Sequence, residues 1–163
     1  MSCPTCGRAL DAHDRHERFT LPERVLQLPD REQTPGSWLS HDDAVTSVMM
    51  QVPGAGAFVR CLLPVRLTGG YSVTFGVWVA VSDDALHGAF SLWWTPEYAR
   101  LVLPGRLGNV LPGWGLLDAP VQATVEDPDQ TPWCTSSTHP ELQRVLTEEW
   151  PHEEVLARVD RGG

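Results

Sequence analysis

The feature that most constrains the fold is the stretch YSVTFGVWVAVS, residues 71 to 82. Tyr71, Val73, Phe75, Val77, Val79 and Val81 alternate with Ser72, Thr74, Gly76, Trp78, Ala80 and Ser82. A period of two puts the large apolar side chains on one face of a strand, and that face must be covered by core. The opposite face is small except at Trp78, so it either admits another chain segment at close range or leaves a shallow groove beside the indole. Two more apolar runs precede it, AVTSVMMQV (44 to 52) and AFVRCLLPVRL (57 to 67). PGAG and TGG separate the three, the glycine-rich turn chemistry of antiparallel hairpins. VQATVED (121 to 127) reads as a later strand. ELQRVLTEEW and HEEVLARV read as two short helices, with Pro151 between them, where a first helical turn tolerates it. The predicted architecture is α+β: an antiparallel β-sheet meander with short C-terminal helices packed on one face and an N-terminal CxxC knuckle.

A chain of 163 residues suffices for one core. The expectation is a single domain over 1–163, with a knuckle segment at 1–37, a β-rich body at 41–127 and a helical segment at 138–160. No apolar run approaches the roughly 18 residues that span a bilayer, and the first ten residues lack a basic start followed by an apolar stretch. The reading is therefore cytoplasmic, with no membrane partner. The formal net charge is −9, and residues 126 to 154 hold eight acids against one basic residue, Arg144. Such a surface repels a phosphate backbone, so no nucleic acid is expected. A basic protein partner fits it, as does plain solvation. All 12 Lys and Arg residues are arginine. The lack of lysine excludes a phosphate-loop lysine, a Schiff-base lysine and a protein-kinase site.

The chain also opens on CPTCG. Cys3 and Cys6 have the spacing at which two thiolates reach one tetrahedral zinc ion, and the following glycine allows the tight backbone of such a knuckle. Two more ligands are needed for a structural site. His13 and His16, themselves two residues apart, complete a set of four within fourteen residues; Cys61 and Cys134 are the other completions. The competing chemistry is thiol redox, which needs a preceding strand for which two residues leave no room.

Other candidates each carry a plainer reading. His139 in SSTHPELQ is a general base or ligand held at a helix start, or a cap, with Pro140 as the first helical residue. His41, Asp42 and Asp43 form an acid/base or metal cluster, or close a loop before a strand. Seven tryptophans are present. Adjacent Trp93 and Trp94 cannot both face inward from a strand, so one is exposed or covers a groove. G-x-S-x-G, H-E-x-x-H and G-x-G-x-x-G are all absent from the sequence.

The N-terminal CPTCG, the pair FVRCLLPV and FGVWVAVS, the stretch RLGNVLPGWG and the late THPEL occur in one order across most of the chain. In that combination the sequence resembles a bacterial family catalogued as domain of unknown function 2199. Family members tend to continue after THPEL with a glutamine and then a glycine before the last helix, where this chain has TEEWPHEEV. The resemblance implies a bacterial, cytoplasmic, single-domain protein and no particular reaction, and it makes Cys3, Cys6 and His139 members of recurring motifs. The function expected is a non-enzymatic binding or interaction module with a structural Zn2+ knuckle at Cys3, Cys6, His13 and His16, and with His139 and Trp78 as further positions of interest. The alternative is a metal-dependent or thiol-redox enzyme using the CxxC pair.

Overall fold

The computed structural model describes residues 14–27, 38–40 and 47–162. Among them are the strands β1 (Asp14–Arg18), β2 (Trp38–Leu39), β3 (Met49–Val52), β4 (Gly56–Leu67), β5 (Ser72–Val81), β6 (Val102–Leu107), β7 (Pro120–Thr124), β8 (Trp133–Ser136) and β9 (Glu149–Trp150). The helices are α1 (Glu23–Leu26), α2 (Asp83–Trp93), α3 (Pro140–Thr147) and α4 (His152–Gly162). Helices and a dominant sheet share one core, an α+β fold.

The two expected hairpins form. β3 and β4 pair antiparallel from Met49 opposite Val59 to Val52 opposite Gly56. β4 and β5 pair antiparallel from Ala57 opposite Val81 to Arg66 opposite Ser72. The turn between the latter needs Gly69 and Gly70, both at φ +81, a region costly for any residue with a Cβ. From β5 the chain meanders through β6, β7 and β8, each antiparallel to the last. β8 then lies beside β4, with Leu62 opposite Trp133, and β4 already pairs β5, so these five strands close on themselves. An up-and-down ring with an odd number of strands must close through one parallel pair. β4 and β8 are that pair.

The sheet is therefore mixed, not purely antiparallel. β5 offers one edge to two partners: its far end pairs β6 at Val79 and Ala80, while its first half pairs β1 in parallel, with His16 opposite Thr74 and Arg18 opposite Gly76. β9 adds a third parallel pairing at Arg66 and Leu67 of β4. This corrects the C-terminal reading, because the helix over ELQRVLTEEW stops at Thr147 and Glu149–Trp150 is extended. α2 is a further departure from expectation, since Trp93 lies at the end of a helix and not on a strand. Ser82 caps that helix by accepting from the Ala85 amide, Asp83 and Asp84 favour its positive end, and Leu86 and Ala89 bury one face.

The main core holds Cys61, Leu63, Val65, Val73, Phe75, Val77, Val79, Leu103, Val121, Ala123 and Cys134 from the ring. Leu142 and Val145 of α3 and Val155, Leu156 and Val159 of α4 join it. Each large side chain buried this way is worth about 1.5–3 kcal/mol. A second, smaller cluster of Val25, Met50, Val52, Phe58 and Trp78 lies on the other face of β4 and β5, where α1 covers the indole.

Candidate functional site

The second face of β4 and β5 is where the small side chains lead. At one end Trp78 is wholly buried, and its Nε1–H donates to the Thr20 carbonyl at 3.2 Å. Arg60, on the neighbouring strand and directly opposite Trp78, stacks its guanidinium 4.1 Å from the indole centroid. Arg60 is 3% exposed, and its guanidinium donates to the carbonyls of Phe19 at 2.8 Å, Ser47 at 3.2 Å and Thr20 at 3.4 Å. Asn109 completes the clamp: its Oδ1 accepts from the Trp78 amide at 2.7 Å, and its Nδ2 donates to the Leu21 carbonyl at 2.9 Å. Gly108 is required beside it, because a Cβ there would sit 2.6 Å from the Trp78 carbonyl oxygen. Three of the stretches that carry the family resemblance meet here: FVRCLLPV supplies Arg60, FGVWVAVS supplies Trp78, and RLGNVLPGWG supplies Gly108 and Asn109. Their common effect is to pin residues 19–21 against the sheet.

Beyond Arg60 the same face opens into a trough of about 280 Å³, lined by His16, Glu17, Arg18, Arg60, Leu62, Thr74, Gly76 and Thr131. Its floor is low because position 76 is glycine; a Cβ there would stand 3.2 Å from Cγ of Arg18. Arg18 and Arg60 are close enough to repel. Burial, and after it the charge of Arg18, push the Arg60 guanidinium down to about 10.

A different surface lies along α2. Leu86, His87 and Phe90 of that helix, with Trp38 and Gln51, line a groove of about 360 Å³. The rings of Trp38 and Phe90 meet edge to face at 5.5 Å, and those of Phe90 and Trp94 at 5.3 Å. These three aromatics are 36%, 45% and 60% exposed. At the start of the helix Asp83 accepts from Gln51 at 2.9 Å and Asp84 is exposed. Trp93, in contrast, turns toward the core and meets Tyr98 edge to face at 4.8 Å. One tryptophan in and one out is what the adjacent pair implied, achieved on a helix end.

Cys3, Cys6 and His13 of the expected zinc set, and His41, Asp42 and Asp43, lie outside the described residues. His16 stands exposed on β1 and lines the trough. Among the described residues no three His, Cys, Asp or Glu side chains converge as a metal group. Cys61 and Cys134 are brought together, but inside the core as free thiols. His139 is a helix cap: its Nδ1 accepts from the Glu141 amide at 3.2 Å, and α3 begins at Pro140. Trp78 meets a covering segment, the first of its two sequence-level alternatives, and the groove of the second opens further along the same face. The residues that sequence reasoning missed are Arg18 and Arg60. Arg60 carried a signal, a charge inside an apolar run, which a strand tolerates only when its head finds partners. No helix among the described residues is long and apolar enough to cross a membrane.

A family model described as an uncharacterised protein conserved in bacteria, DUF2199, matches residues 2–148. No curated protein and no solved structure matches the chain.

Proposed function

Because the chain belongs to the uncharacterised bacterial family DUF2199, a membership that brings no reaction with it, we propose its function from its surfaces: a non-enzymatic interaction module that docks a basic protein segment along α2. The observation that carries this is the exposed run Trp38, Phe90 and Trp94 along a helix whose first turn carries the carboxylates of Asp83 and Asp84. Exposed aromatic rings offer both apolar area and a negative π-face to a guanidinium or ammonium group. Carboxylates at the groove's end supply the complementary charge and the steering. An arginine- or lysine-bearing segment satisfies both at once.

The test is cross-linking in cells from a photoreactive residue at position 94, beside a Phe90→Ala/Asp84→Asn variant. The reading expects a basic partner whose capture falls in the variant and with added salt. Equal capture by both proteins, or capture indifferent to salt, removes it.

The CPTCG segment adds a structural Zn2+ knuckle to the proposal. Support comes from ligand spacing alone, with Cys3, Cys6, His13 and His16 as the ligands. Metal analysis of protein never exposed to chelator should give one zinc per chain, lost in Cys3→Ala/Cys6→Ala; a zinc-free parent protein rejects the knuckle.

A further inference from the structure

We propose that the trough on the second face of the sheet binds a small organic oxyanion, with its carboxylate or phosphate group between Arg18 and Arg60 and its body on Leu62 and Gly76. The site is separate from the α2 groove and does not depend on it. Four observations converge on it.

The first is charge. Two guanidiniums line the trough against one carboxylate, Glu17, in a chain of net charge −9. A cationic pocket on an acidic protein is a local arrangement that the overall composition does not supply, and low-dielectric walls focus its field on an anion. The second is geometry. Arg60 is held by three backbone carbonyls and by the Trp78 face, so its planar fork is fixed before any ligand arrives. A donor already ordered costs little further entropy on binding. Arg18 lies over Gly76, where a side chain would displace it. The third is the polar complement: the hydroxyls of Thr74 and Thr131 line the same space and can share remaining oxygen lone pairs. Leu62, paired with Gly76 on the same face, gives an apolar patch for carbon atoms. The fourth is energetic. Burial, and after it Arg18, oppose the Arg60 charge, and an oxyanion placed between the two guanidiniums is attracted to both. At about 280 Å³ the space is at the small end of ligand pockets, which excludes a nucleotide-sized guest and suits a short dicarboxylic acid or a small phosphate ester.

The experiment is calorimetric titration of the full chain with succinate and, separately, with inorganic phosphate, each at two salt concentrations. One saturable equivalent of either is expected, weakened by salt. Tighter succinate assigns a carboxylate ligand, and tighter phosphate assigns a phosphate. Arg60 is unsuitable as a first variant because its removal frees three buried carbonyls, so Arg18→Gln is used, with Arg100→Gln as an exposed control. Losing one charge-assisted contact should weaken binding about tenfold or more in Arg18→Gln and leave Arg100→Gln unchanged. Gly76→Val, which fills the floor, should abolish binding, with native circular dichroism required of that variant. The proposal is overturned if neither anion saturates, or if Arg18→Gln binds as tightly as the parent.

Discussion

The Cys61 thiol lies wholly inside the strand ring, where burial, and then the hydrogen bond and charge of neighbouring Cys134, raise its pKa well above 9.0. Below pH 9.0 both folded and unfolded chains keep this proton and the full stability is present. Above it the unfolded chain releases a proton that the fold retains, so stability falls as pH rises toward the native value. Tyr98 acts in the same sense from pH 10.0 upward, again through burial first. Urea unfolding of reduced protein at pH 8 and pH 10 should therefore show a lower midpoint at the higher pH, and Cys61→Ala should flatten that difference. A thiolate-type nucleophile needs the opposite environment. Iodoacetamide at pH 7.5 should accordingly leave Cys61 and Cys134 unmodified in native protein, as read by peptide mapping; rapid labelling of either would contradict the core position. Arg60 was legible only as an anomaly in an apolar run, because two of its three carbonyl partners, Thr20 and Phe19, lie 40 and 41 residues away in sequence. Replacing it with alanine should cost at least about 3 kcal/mol, since hydrogen bonds to a charged group are worth about 1.5–3 kcal/mol each. Lysine should not restore the loss, because a single ammonium cannot serve three carbonyls and stack on an indole. Denaturant melts of Arg60→Ala and Arg60→Lys measure both.

Among the elements, the three central strands could be read directly, because each buries one face along a period of two and each is bounded by turn glycines. α2 was missed although its signals are present: Ser82 followed by Asp83 and Asp84, with Leu86, Ala89, Phe90 and Trp93 at helical spacing. Ser82→Ala should cost about 1 kcal/mol in urea unfolding, the usual value of an N-cap, without changing the sheet. α3 behaves likewise. His139→Ala should lose a similar amount and His139→Asp should recover it, because aspartate also accepts from the second-position amide. A chemical role for His139 would instead leave the aspartate variant as impaired as the alanine one. ELQRVLTEEW reads as one short helix up to Trp150 because Glu148, Glu149 and Trp150 do not break helical periodicity. Pairing with Arg66 and Leu67 of β4 supplies the hydrogen bonds that make Glu149–Trp150 extended, an example of tertiary context overriding local propensity.

For the whole molecule, the family match ends at residue 148, yet β9 and α4 beyond it complete the core through Val155, Leu156 and Val159. At about 1.5–3 kcal/mol for each buried aliphatic side chain, their loss rivals the 5–15 kcal/mol by which a domain is stable. A chain truncated after Glu148 should therefore lose cooperative thermal unfolding, which calorimetry would record. A sharp transition near that of the full chain would show that the last fourteen described residues are dispensable. The sequence by itself determined the α+β class, the central hairpins, the helix start at Pro140 and the presence of a lightly filled face beside Trp78. Those properties depend on side-chain periodicity, turn chemistry and steric rules within a few residues of one another. Only the tertiary structure decided that the meander closes on itself, that β1 adds in parallel, that Cys61 and Cys134 meet in the core, and that Arg18 joins Arg60 at one trough. Each of these brings together residues tens of positions apart, and their proximity comes from the packing that minimises exposed apolar surface over the whole chain, a quantity that no local window contains.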